Sequence, residues 1–387
     1  MSTNEVKSTN IPALDGVRGL AILLVMSTHF FYKTPLFNLG WTGVDLFFVL
    51  SGYLLCSKFI KYKISKDLIL TFFRNRLLRT LPIYFLLLLF FISLYFLIPV
   101  GKRNLLFFPL DTFFILSHLA LIQNWYYIFI SQPYTPVGHL WSVSVEEQFY
   151  LFFPFLILLI EKLKLKLLFI IVMLGGVLMF RSIDLYCYGM LDNSKSVINF
   201  QRYSFNTFYR MDSFLAGIML AYVLYHYKKI KLLNKIVTAV FVLTGLCIII
   251  FFGYFQIFSS SSALICSVGY TTIALFFASV IYFVIQKKYS LLNTFFSSKL
   301  LIFSGKISYG LYVYHYVLDF YNSSLLGYVK KLFPGLPNNQ FVSILFSLFL
   351  IAMAYLISYT SYIFVEKKFL QFKRAYSNFP QKAMANA

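Results

Sequence analysis

Charge is scarce in this chain. Only 12% of its 387 residues are Asp, Glu, Lys or Arg, and just 13 are acidic, whereas a soluble domain carries about 25% charged residues. Cysteine is nearly absent: Cys56, Cys187, Cys247 and Cys266 are dispersed with no metal-ligand spacing. They read as packing residues, which argues against a disulfide framework and a metal centre. There is no internal repeat and no stretch composed like a soluble domain. A cleavable signal is not expected either. The first ten residues are polar, and the first apolar run carries Asp15 and Arg18, which a signal core would avoid.

Apolar residues dominate. They make up 60% of the chain, with 47 Phe and 30 Tyr. No globular core of this length hides that much apolar surface, so the solvent is lipid. The net charge of +21 raises nucleic acid as a partner, but the basic residues sit in short clusters between apolar runs. That is the distribution of a membrane surface. The expected surroundings are membrane lipids, with no nucleic acid.

A membrane helix needs roughly 20 mostly apolar residues. Ten segments qualify: about Ile11–Phe31, Thr42–Phe59, Leu81–Val100, Leu140–Ile160, Leu163–Phe180, Tyr209–Tyr227, Ile236–Phe255, Ala263–Ile285, Leu300–Tyr321 and Gln340–Phe364. Leu105–Ile130 is interrupted by Pro109, Asp111 and His118 and reads as re-entrant or interfacial. With the N-terminus inside, 23 basic residues fall in inner segments and 8 in outer ones, alternating loop by loop. An eleventh span would spoil that asymmetry. The expected fold is therefore all-α: one polytopic transmembrane bundle of about ten helices over residues 1–387. Both termini are expected to be cytoplasmic, with short polar tails at about 1–10 and 368–387, and no fused extracytoplasmic domain is expected.

Ionisable residues inside such spans are costly and are functional candidates by default. The first span carries Arg18 and His29, eleven residues apart. That separation returns to nearly the same helix face and rises about 16 Å. Asp45 opens the second span at the outer side, where it could face and orient His29 as a base; a purely structural pair is the alternative. Arg74, Arg76 and Arg79 precede Pro82, which is expected to open the third span. They suit bidentate phosphate binding or serve as a positive-inside anchor. Glu146 and Glu147, with Trp141, Ser142 and Gln148, suggest a polar site near the outer end of the fourth span. His139 precedes them as a loop histidine. Arg210 and Asp212 open the sixth span and are expected to pair with those acids or with each other. Ser308, Tyr312, His315 and Asp319 follow spacings of 4, 3 and 4 and make one stripe, either a sugar-binding wall or packing.

Six blocks, in order, carry a resemblance that runs nearly end to end. They are IPALDGVRGLAILLVMSTHF, GWTGVDLFFVLSGYLL, the RLLR run ending at Arg79, HLWSVSVEEQFYLFFP, YRMDSFLAGIMLAY and GKISYGLYVYH. The chain resembles the acyltransferase 3 family of integral membrane O-acyltransferases, which modify bacterial polysaccharides and lipopolysaccharide O-antigens. The resemblance implies transfer of an acyl group, usually acetyl, from cytoplasmic acyl-coenzyme A to a glycan hydroxyl, in the bacterial inner membrane. The family's arginine–histidine pair falls on Arg18 and His29, and its Arg-x-x-Arg on Arg76 and Arg79.

The expected mechanism has Arg76 and Arg79, with Arg74 and Arg18, holding the donor acetyl-coenzyme A. His29 acts as general base or transient acyl acceptor, oriented by Asp45. Glu146, Glu147, Trp141, His139, Arg210, Asp212, Ser308, Tyr312 and His315 place the glycan acceptor. A hydroxyl needs a positioned base, and no metal is called for. Two other classes remain open. A transporter or flippase would move a glycan or acyl group without making a bond, and a structural subunit would act only through a polysaccharide synthase complex. The oligomeric state is not legible.

Overall fold

A computed structural model describes residues 11–32, 34–106, 111–130, 134–191, 200–227, 231–253, 263–287, 289–376 and 379–380. The expected polar tail at 1–10 and residues 381–387 lie outside the described residues, as do the basic residues Lys7, Lys33, Lys195, Lys228, Lys229, Lys288 and Lys382 and residues 107–110 of the interrupted stretch.

The described chain is helical, with no β-strand. In order it forms α1 (Pro12–Phe30), α2 (Gly43–Phe59), α3 (Lys66–Leu97), α4 (Thr112–Leu119), α5 (Gln123–Phe129), α6 (Trp141–Lys162), α7 (Lys166–Leu191), α8 (Phe200–Ser204), α9 (Met211–His226), α10 (Lys231–Gly253), α11 (Tyr270–Gln286), α12 (Ser290–Phe296), α13 (Lys299–Lys306), α14 (Ser308–Phe320), α15 (Asn322–Leu332), α16 (Gln340–Ser361) and α17 (Lys367–Leu370). Eight described helices are long and apolar enough to cross a bilayer, at α1, α2, α3, α6, α7, α10, α11 and α16. The other two expected spans differ in form. One is α9, 16 residues long. The other is broken at Ile307 into α13 and α14. The interrupted stretch holds α4 and α5, of 8 and 7 residues, too short to span.

Local chemistry sets several of these boundaries. Pro12 begins α1, where a missing N–H costs nothing. The Ser65 hydroxyl accepts the Leu68 N–H at 3.2 Å and caps α3. This cap corrects an expectation: α3 starts at Lys66, so Pro82 lies inside it and the three arginines ride on the helix rather than ahead of it. A proline in a helix interior strips a backbone bond and weakens that turn. Here the Tyr309 hydroxyl donates to the Thr80 carbonyl at 2.6 Å and supports the backbone beside it. A second correction concerns α7, which runs past Phe180 to Leu191. Arg181, expected in an outer loop, is therefore buried inside the bundle.

α7 and α10 show only 11% of their apolar windows to the interior, whereas α2 and α11 bury 67%. The outer helices meet lipid and the inner ones carry the polar site. Glycine lets the inner helices touch backbone to backbone, the usual device where lipid offers no hydrophobic drive. A Cβ at Gly305 of α13 would fall 1.8 Å from the Asp15 carbonyl oxygen of α1, and one at Gly217 of α9 would fall 2.0 Å from the Val49 carbonyl oxygen of α2. Gly305→Ala must therefore push the two helices apart, at a cost of about 1–3 kcal/mol. Gly175 of α7 has nothing within 4 Å. Thermal unfolding in detergent should show a clear loss for Gly305→Ala and none for Gly175→Ala. Equal midpoints would mean that the α1–α13 contact is not close.

Candidate active site

Two cavities meet at three arginines. The larger, about 460 Å³, is lined by Arg18 of α1, Lys58 of α2, Arg76 and Arg79 of α3 and Lys373 beyond α17, with Tyr53, Tyr225 and Tyr376 among its aromatic walls. Among the described residues the only acid on its lining is Asp15, 3.4 Å from Arg18. The smaller, about 60 Å³, shares Arg18, Arg76 and Arg79 and adds Ser51, Ser142, Glu146, Tyr150, Ser308 and Tyr312. The three guanidinium groups thus stand at the junction.

Helix periodicity selects which arginines reach it. Positions 76 and 79 are three apart and share a face of α3, while position 74 is turned about 200° from 76. Arg74 is exposed and lines neither cavity, which separates it from the donor-holding set it was expected to join. The Arg76 guanidinium lies 5.1 Å from the centre of the Tyr150 ring. Glu146 accepts hydrogen bonds from the Ser51 hydroxyl at 2.5 Å and from the Tyr150 hydroxyl. Thr80 donates to Glu147 at 2.6 Å. Both acids lie in the first two turns of α6, where they were expected, and there they meet the arginine junction: Glu146 lines the smaller cavity and Glu147 is held by Thr80 on its wall. The reason is α3, whose longer course brings Arg76, Arg79 and Thr80 alongside them.

Beyond the small cavity lies a group of imidazoles. Tyr312 forms the partition. Its hydroxyl donates to the His139 carbonyl at 2.9 Å, so the Ser142 hydroxyl, 2.6 Å away, donates to Tyr312. The His139 and His315 ring centres are 5.8 Å apart, and those of His29 and His315 are 5.3 Å apart. His315 Nδ1 contacts the Leu311 and Tyr312 carbonyls, each at 2.9 Å. Carbonyls only accept, so Nδ1 carries the proton and Nε2 holds the lone pair. That Nε2 is buried with no hydrogen-bond partner among the described residues. His29 Nδ1 stands 3.9 Å from the Asp319 carboxylate.

The expected Asp45–His29 contact is not formed. Asp45 is fully buried and accepts from Arg210 at 2.6 Å and from the Ser213 hydroxyl at 2.8 Å. The neighbouring pair is equally buried: Arg181 donates to Asp212 at 2.8 Å. These pairs replace the expected contacts of Arg210 and Asp212 with Glu146, Glu147 or each other, and neither residue lines a cavity. Trp141 also stays out, stacked on Phe205 at 4.5 Å. The α14 stripe is present and divides by depth: Ser308 and Tyr312 line the small cavity, while His315 and Asp319 lie among the imidazoles. Sequence reasoning passed over Ser51, Tyr53, Tyr150, Arg181, Lys373 and Tyr376. Ser51 and Tyr53 flank Gly52 in an otherwise apolar run, a visible signal. Lys373 looked like one more inner-face charge.

The fold and this arrangement define a multi-pass helical membrane protein with a basic cavity joined through arginines to a polar interior. A family model described as an acyltransferase domain matches residues 11–363, and the chain belongs to that family, acyltransferase 3. The chain is 30% identical over 343 residues to a "Putative O-acetyltransferase" of Staphylococcus aureus strain COL, covering 83% of this chain and 53% of that protein. It is also 30% identical over 333 residues to O-acetyltransferase OatA of Staphylococcus aureus strain NCTC 8325 / PS 47, covering 81% of this chain and 51% of OatA. The chain spans about half the length of the curated relatives it matches. No solved structure gives a significant match.

Proposed function

We propose that this chain is a membrane O-acyltransferase of a bacterial cytoplasmic membrane. It takes an acyl group, acetyl in the first instance, from acyl-coenzyme A and passes it to a hydroxyl of a surface glycan. The reading rests on one observation: Arg18, Arg76 and Arg79 line both cavities. A phosphate-rich donor docked in the basic cavity would have its thioester end directed through the arginines toward Glu146, Tyr312 and the imidazoles. Guanidinium matches phosphate geometry bidentately, and among the described residues the larger cavity's six cations face a single acid.

The chemistry then assigns itself by position. The acceptor hydroxyl gives its proton to His29 as its oxygen attacks the thioester carbonyl carbon. The new C–O bond forms, the C–S bond breaks, and the coenzyme A thiolate leaves to be protonated. Asp319 would orient His29 and balance the imidazolium, the part first given to Asp45. Ser142, Ser308 and Tyr312 would place the acceptor.

The test is release of coenzyme A from acetyl-coenzyme A by purified protein in the presence of a glycan acceptor. Wild type should release it. Arg76→Ala/Arg79→Ala should raise KM for the donor at least about tenfold, since each lost charge-assisted bond to phosphate is worth about 1.5–3 kcal/mol. Absence of release by wild type would favour the transporter reading.

A further inference from the structure

The family match ends at residue 363, but the wall of the basic cavity does not. After α17 the chain runs along the cavity wall and is fastened at two places. Asn75, one residue before Arg76, clasps the backbone of Arg374: its Nδ2 donates to the Arg374 carbonyl and its Oδ1 accepts the Arg374 N–H, both at 2.9 Å. The Lys63 N–H, in the turn after α2, donates to the Pro380 carbonyl at 3.1 Å. On this strap, Lys373 and Tyr376 line the cavity. The Tyr376 ring stacks against Tyr62 at 6.5 Å with 24° between planes, and Lys58 Nζ lies 5.4 Å from its centre. A lysine and an aromatic face, fixed against three arginines, form the counterpart of a phosphate next to a planar base.

We propose that the strap is part of the donor site, with Lys373 binding a phosphate and Tyr376 stacking on the base of an adenine nucleotide such as coenzyme A. This rests on the acyl-coenzyme A reading above. The strap thus adds a cation and an aromatic face to the wall that already carries Arg18, Arg76 and Arg79.

Protonation supports the geometry. Burial, and then the positive charges of Arg79, Arg76, Lys58 and Arg18, push the Lys373 ammonium down to about 7. Glu366 also faces it, and its carboxylate favours the charged form. A bound phosphate would restore the charge, so donor binding should take up a proton near pH 8, and affinity should fall as pH rises from 7 to about 9.

The experiment is calorimetric titration of coenzyme A into the full-length protein in phosphatidylcholine nanodiscs, in buffers of different ionisation enthalpy. Lys373→Ala should weaken binding about tenfold and reduce the proton uptake. Tyr376→Ala should weaken it several-fold while Tyr376→Phe does not, because the ring face is what counts. Lys368→Ala, exposed on α17, should bind as wild type and controls for net charge. Binding within twofold of wild type by Lys373→Ala and Tyr376→Ala, while Arg76→Ala/Arg79→Ala loses affinity, would overturn the role of the strap and leave the donor reading intact. Wild-type affinity in all of these variants would overturn both.

Discussion

A His29→Ala variant is expected to lose acyl transfer by at least about 10²–10⁴-fold, the contribution of a positioned general base, while coenzyme A binding stays within about twofold. Two imidazoles compete for the role, and their surroundings distinguish them. His315 is fully buried, and its Nδ1 proton is held by two carbonyls. Its Nε2 can accept a proton only by creating an imidazolium with no carboxylate on its own nitrogens. His29 is 30% exposed at its side chain and has Asp319 at 3.9 Å. It can reach an acceptor and can be charged at lower cost. Asp319→Asn should therefore lower kcat about 10–100-fold with little change in donor KM, and His315→Gln should act mainly on acceptor KM. The measurement is initial-rate coenzyme A release at matched membrane expression. A His29→Ala enzyme with the wild-type rate would remove His29 from the chemistry, and a dead His315→Gln enzyme with active His29→Ala would exchange the two roles.

Eight of the ten expected spans were legible because lipid imposes a length and a hydropathy on a crossing element, and eight described helices obey both. The face shared by Arg18 and His29 was legible because it depends only on helix periodicity. Lateral partners were not. Asp45 and His29 lie at neighbouring helix ends, yet Asp45 turns to Arg210 and Ser213. The rotation of α2 against α9 is set by Gly52 and Gly217, whose missing side chains let each backbone press on the other. No local pattern encodes that rotation. Pro82 misled in another way. Its usual meaning as a helix start hid the first four turns of α3, and with them the periodicity that separates Arg74 from Arg76 and Arg79. Lys373 and Tyr376 join the cavity through a strap held by Asn75, a contact across 299 positions. Residue type along the sequence cannot announce such a contact.

Asp212→Ala is expected to leave little folded protein. Arg181 is wholly buried. It donates to Asp212 at 2.8 Å, to the Tyr209 carbonyl at 2.6 Å, to the Ser267 carbonyl at 2.8 and 3.0 Å and to Thr271 at 2.8 Å. Beside it the Arg210 guanidinium sits 4.0 Å from the Tyr270 ring centre and binds Asp45. Two cations and two carboxylates balance, and they tie α7, α9 and α11 to α2. Removing one carboxylate strands a guanidinium in the bundle interior, at a cost of about 3–5 kcal/mol, whereas an apolar replacement of both partners costs far less. Arg181→Met/Asp212→Leu should therefore restore most of the folded yield that Asp212→Ala loses, read by size-exclusion chromatography and thermal unfolding in detergent. Its activity then decides between the two parts offered for this cluster. If the network only fixes the inner helices, the double variant recovers acyl transfer along with folding. If Asp212 binds the acceptor, as its position at a helix start first suggested, the double variant folds but its acceptor KM rises or its transfer is lost. The absence of Arg210 and Asp212 from both cavity walls makes recovery the expected result.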